Sequence, residues 1–216
     1  MTQPVTSKAP NLPLGPPQYQ PQYQDQFANQ LRLYFNKIDA LFQGLLDYKG
    51  GSQLNFPYGA FSSDQSQTTT ANTATLMTLN TTDFANGVSI TSSKITVEKP
   101  GIYNLQFSAQ MESDDTAPQD VFIWLRQGND GGGSADITGS TGKVGLPARK
   151  SAGNPFHSII GWNYYLSMAV DDYVQIYWST TSANVSIQYY PASSTPTKPS
   201  TQSVVATLSF VSSPPP

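Results

Sequence analysis

Apolar side chains recur along this chain in two different periods. Between Asp25 and Lys49, Phe27, Leu31, Tyr34, Ile38, Leu41 and Leu45 follow one another at spacings of 4, 3, 4, 3 and 4. That spacing puts all six on one stripe of an α-helix with a heptad repeat. Asp25 is placed to cap the helix start, and Lys49 before Gly50-Gly51 to end it, so the pattern predicts a helix over 25–49. The stripe suits either an amphipathic helix lying on its own domain or the seam of a short parallel bundle. Phe35 and Phe42 widen it beyond a two-stranded seam, and a bundle of three chains is the preferred reading. The bulk of Phe27 and Tyr34 opposes a tight seam, as does Gly44, which costs about 1 kcal/mol relative to Ala.

From residue 52 onward the period falls to two. In Ile102–Met111, Tyr103, Leu105, Phe107, Ala109 and Met111 alternate with Asn104, Gln106, Ser108 and Gln110, the signature of a half-buried antiparallel strand. Val121–Arg126 is apolar on both faces, as a central strand would be. Further strand signals lie at Leu76–Leu79, Val88–Ile90, Ile95–Val97, Trp162–Met168, Val174–Trp178, Val185–Tyr189 and Val204–Phe210. Turn signals at Asn86-Gly87, Lys99-Pro100-Gly101, Asp171-Asp172 and Pro191–Pro199 separate them. Eight to ten short strands with no helical pattern between them predict a mainly β antiparallel sandwich over 52–216.

Residues 1–24 follow neither period. They hold six prolines, five glutamines and one charge, Lys8. Proline fixes its own φ and extends the residue before it, so Pro4, Pro10, Pro13, Pro16, Pro17 and Pro21 point to an extended arm. Leu12, Leu14, Tyr19 and Tyr23 are apolar groups that gain free energy by docking on a partner. The alternative is a solvated tail.

Composition narrows the partners. The 11 basic and 14 acidic residues make up only 12 % of the chain and leave a net charge of −3, with a pI of 4.9. No phosphate-neutralising surface is expected, which argues against nucleic acid and against acidic membranes. With no cysteine, neither a disulfide scaffold nor a thiolate metal site is available. No apolar run reaches the roughly 20 residues of a membrane helix, and the N-terminus has no secretion-signal pattern.

Candidate chemistry is sparse. His157 is the sole histidine, which removes the commonest general base and any multi-histidine metal site within one chain. Gly128–Gly133 and Gly142-Lys143 lack the Lys-Ser/Thr and the following helix of a phosphate loop. Glu112, Asp114, Asp115 and Asp120 offer oxygen ligands of the kind calcium takes, but their irregular spacing favours a solvated acidic loop. No catalytic residue, cofactor or metal is therefore expected. Phe122, Trp124, Tyr164, Tyr173, Tyr177 and Trp178 supply more aromatic surface than one core needs, so part of it is expected at a subunit interface.

Four motifs in order carry a family resemblance: KPGIYNLQFSAQ from Lys99, VFIWLRQG from Val121, YLSMAVDDYVQI from Tyr165, and VVATLSF from Val204. Together they resemble the C1q/TNF-like jelly roll, with Asp171-Asp172 where Gly-Asp is usual. IWLRQ, GWNYYLSM and DDYVQIYWST, with the late Pro-rich loop and the leader LRLYFNKIDALF, look like the C1q-like domains on small virion proteins of tailed bacteriophages. The resemblance implies a homotrimer. The expected organisation is an anchoring arm over 1–24, a trimerisation helix over 25–49 and a jelly-roll knob over 52–216. The implied role is a structural virion protein assembled in the host cytoplasm, a decoration or cement protein or a short fibre, whose arm binds a capsid, neck or tail component. A fibre tip gripping a host surface glycan through Tyr189, Tyr190 and Trp178 is the alternative.

Overall fold

A computed structural model of the chain describes residues 10–12, 14–46 and 56–213. It divides into two units, Met1–Asn55 and Phe56–Pro216.

The first unit holds one helix, α1, over Pro21–Leu46. It starts four residues before the expected Asp25, which lies inside the helix and does not cap it. Pro21 takes the first helical position, where its missing N–H would have had no partner anyway and its fixed φ is already helical. The Gln20 carbonyl accepts from Tyr23 N at 3.1 Å and from Gln24 N at 3.4 Å. Tyr23 thus leaves the arm and joins the helical stripe, its ring stacked on Phe27 at 6.2 Å. Phe27, Leu31, Tyr34, Ile38 and Leu41 are half-buried, and the positions between them are exposed. The side chain of Leu45, the end signals Lys49, Gly50 and Gly51, and the arm residues Pro4 and Pro13 lie outside the described residues.

The second unit is built of strands in antiparallel pairs. In chain order they are β1 (Tyr58–Ser63), β2 (Gln67–Thr68), β3 (Thr75–Leu76), β4 (Thr81–Asn86), β5 (Val88–Thr91), β6 (Lys94–Val97), β7 (Gly101–Ser113) and β8 (Gln119–Asn129). They continue with β9 (Ser134–Asp136), β10 (Gly142–Leu146), β11 (Phe156–Met168), β12 (Asp172–Thr180), β13 (Val185–Ile187), β14 (Ser193–Ser194), β15 (Thr197–Lys198) and β16 (Val204–Ser212). One sheet runs β2-β13-β7-β16-β1-β4, with β11 on the other side of β7. The second runs β10-β8-β12-β6-β5, with β3 beside β12 and β9 beside β8. The chain changes sheet between β2 and β3, β3 and β4, β4 and β5, β6 and β7, β7 and β8, β10 and β11, β11 and β12, and β12 and β13. The result is a jelly-roll-like sandwich.

Alternation decides what lies between the sheets. Tyr103, Leu105, Ala109 and Met111 of β7, Ile123 and Leu125 of β8, Val174, Ile176 and Trp178 of β12, and Ala206 and Leu208 of β16 are all at most 1 % exposed. Fully burying the larger aliphatic side chains among them contributes about 1.5–3 kcal/mol each. The β8 strand lies between β10 and β12, in the central place its two apolar faces require. Asp171 adopts φ +63 at the β11–β12 turn, while the Asp172 carboxylate accepts from Ala169 N at 2.8 Å.

Several strands differ from the sequence expectation, among them β4, β9 and β10, which it did not place, and β13, which ends at Ile187. YGAFSS forms β1 although it is rich in small residues, because β16 and β4 pair it on both sides. At Leu76–Leu79 only Thr75–Leu76 is strand; Met77 and Leu79 remain buried, and Met77 N donates to the Ile176 carbonyl at 2.8 Å. The strand expected from Trp162 begins at Phe156, since β7 pairs β11 along its whole length.

Candidate functional site

The outer face of the first sheet stands out by its lack of charge. Register and alternation set its side chains in rows across β11, β7, β16, β1 and β4. One row reads Tyr165, Asn104, Ser209, Tyr58; the next reads Asn163, Gln106, Thr207, Ala60, Phe84; a third reads Gly161, Ser108, Val205, Ser62. Ile159 lies opposite Gln110 beyond them. Phe84 is 62 % exposed, Ile159 66 % and Tyr165 59 %. Tyr58 and Val205 are also exposed, and the Tyr58 and Phe84 rings meet at 6.1 Å. Within the grid the Asn104 side-chain carbonyl is buried with no hydrogen-bond partner. Among the described residues charge reaches the face at its margins: Asp83, which accepts from Ser62 Oγ at 3.1 Å, and the cross-strand pair Glu112 and His157.

The outer face of the second sheet is aromatic but closed by its own cations. Trp124 and Tyr177 stack at 5.9 Å. Arg126 lies over Tyr177 at 4.2 Å, Lys94 over Tyr173 at 4.4 Å and Lys143 over Phe122 at 5.6 Å. Each cation is held by a carboxylate: Arg126 by Asp136, Lys94 by Asp130, and Lys143 by Asp120. The Arg126 guanidinium holds the Asp136 carboxyl below its usual range. Cation–π contact and ion pairing cover the rings of this face within one chain, while the Trp124 indole N–H is buried with no hydrogen-bond partner.

The residues expected at a subunit surface divide between the core and the outer face of the second sheet. Trp178 is fully buried and Tyr164 packs inward against the core. Phe122, Trp124, Tyr173 and Tyr177 do lie on a common outer face, but Lys94, Arg126 and Lys143 cover them. The aromatic count identified side chains that the monomer already accommodates. It missed Tyr58, Phe84, Ile159, Tyr165 and Val205, although alternation carried back to Phe156 would have placed Ile159 and Tyr165 on one outer face with His157, Gly161 and Asn163.

The acidic cluster resolves into separately partnered groups. The Asp115 carboxylate accepts from Ser182 Oγ, Ala117 N and Asn184 Nδ2, and these bonds lower its pKa to about 2. Asp114 pairs with Arg149 at 3.2 Å and Asp120 with Lys143 at 2.8 Å, while Glu112 accepts from the Tyr190 hydroxyl at 2.9 Å. Among the described residues no group of three or more His, Cys, Asp or Glu is arranged to hold a metal ion, and no helix is long and apolar enough to cross a membrane.

Of the residues considered for sugar stacking, Trp178 is core, Tyr190 is tied to Glu112, and Tyr189 is half-buried with its backbone N–H on Ser66 Oγ at 3.1 Å. In the arm, Leu14 is 95 % and Tyr19 79 % exposed, and Leu12 is exposed as well. No protein-family model matches the chain, and no curated protein matches it.

Proposed function

We propose that this chain is a homotrimeric structural protein of a tailed-phage virion, a decoration or cement protein or a short fibre, with a C1q/TNF-like knob. The arm, through Leu12, Leu14 and Tyr19, attaches it to a capsid, neck or tail component. The stripe from Phe27 to Leu45 gathers three helices, and the sandwich forms the displayed knob. Three arms on one body multiply a weak contact by avidity. The chain is not read as an enzyme.

The observation that carries self-association is the contrast between the two outer faces; the number three rests on the motif resemblance. One face is covered by its own cations; the other leaves Tyr58, Phe84, Ile159, Tyr165 and Val205 exposed among uncharged side chains, with Asp83 at its β4 edge. Copies of this chain meeting over its central rows would bury apolar and uncharged groups. The phage assignment rests on the motif resemblance and on the exposed Pro-rich arm. The glycan-gripping alternative loses Trp178 to the core.

The test uses particles purified from cells producing the virus. The full chain is expected in them, and a chain lacking residues 1–20 is expected to be missing. Absence of the full chain from particles would refute the virion role.

A further inference from the structure

Glu112, Tyr190 and His157 meet at the margin of the first sheet's outer face. Glu112 of β7 and His157 of β11 are direct register partners, and Tyr190, beyond β13, reaches across both. Its hydroxyl donates to Glu112 Oε2 at 2.9 Å and lies 2.9 Å from His157 Nδ1. His157 Nδ1 is 3.5 Å from the same carboxylate oxygen, and the histidine and tyrosine rings pack edge to face at 5.9 Å. A phenol has a single proton. Once that proton goes to Glu112, the second contact requires a proton on Nδ1 of His157. Burial and the adjacent carboxylate push the Tyr190 phenol far up, so it remains a donor.

Tyr190 also closes a loop. Its backbone N–H donates to the Thr201 carbonyl at 3.1 Å, and Thr201 N–H donates back at 2.8 Å. The intervening residues carry the β14–β15 hairpin. The Tyr190 side chain therefore joins the neck of this loop to two strands of the first sheet.

We propose that Glu112, Tyr190 and His157 form a proton-operated clamp that holds the 190–201 loop against the first sheet more tightly in mild acid than at neutral pH. A neutral imidazole has two tautomers, of which one fits this contact. The imidazolium always carries the Nδ1 proton, and it adds a full positive charge beside Glu112. Histidine titrates between about pH 5 and 8. The added stabilisation belongs to the imidazolium form and is lost with its proton. The other groups facing the clamp leave this sign unchanged. Lys198 of the loop lies 5.8 Å from the centre of the Tyr190 ring and donates to the Pro191 carbonyl. β13 presents the uncharged Ser186 opposite Glu112, and the nearby Asp114 and Arg149 pair with each other.

Amide hydrogen exchange on the full chain at pH 5.5 and 7.5, corrected for intrinsic rates, tests the clamp. Protection of the Tyr190 and Thr201 amides is expected to be about two- to fivefold greater at pH 5.5, the range one partly exposed ion pair supplies. In His157→Gln that difference is expected to vanish. In Tyr190→Phe protection is expected to fall at both pH values, with β7 and β12 amides unchanged as the check on folding. Equal wild-type protection at the two pH values overturns the proposal, as does a pH response that survives in His157→Gln.

Discussion

At residue 161 a side chain has no room: a Cβ there would overlap the Phe107 carbonyl oxygen of the neighbouring strand. Gly161→Ala is expected to destabilise the sandwich by about 1–3 kcal/mol in urea unfolding, as overpacking against backbone does. Asp115 has a different role. Its pKa of about 2 arises from donors on Ser182, Ala117 and Asn184, so folding favours its charged form. That contribution is present above the ordinary carboxylate range and is lost as the pH falls through about 2. Asp115→Asn is expected to flatten the wild-type loss of stability between about pH 4 and 2, measured by thermal unfolding. Neither effect was legible in the chain. Asp115 stands among several acids with nothing local to mark it, because Ser182 and Asn184 are brought to it by the β12–β13 connection.

Elements were more legible where periodicity was long. Ile102–Met111 displayed its two faces plainly because five apolar and four amide or hydroxyl residues alternate without a break. The start of α1 was misplaced because Pro21 looks like an arm residue until its position in the first turn is considered. β1 escaped notice because Gly59, Ala60 and Ser62 carry little apolar signal; its neighbours β16 and β4 make it a strand. On β8 and β12 the aromatic residues were visible but their partners were not, since Lys94 and Lys143 come from other strands. Arg126→Ala is expected to cost about 1 kcal/mol by loss of the cation over Tyr177, with the mass in solution unchanged. Ile159→Asp, on the opposite outer face, is expected to leave the melting of the isolated sandwich nearly unchanged and to abolish association. Ser179→Asp on the second sheet is the control and is expected to associate normally.

For the whole molecule, the proposed trimer depends on which face meets other copies. The jelly-roll-like layering was legible from strand count and turn spacing. The face was not, because aromatic content alone does not distinguish a ring covered by lysine from one left open. In the proposed trimer, the uncharged rows on the first sheet and the apolar stripe of α1 are the surfaces that meet other copies. The most direct measurement is the mass of the full chain by sedimentation equilibrium at micromolar concentration. Three times the chain mass of 23.4 kDa is predicted, falling toward a single chain in Ile159→Asp combined with Leu31→Asp. A wild-type chain that sediments as 23.4 kDa across that concentration range contradicts the account.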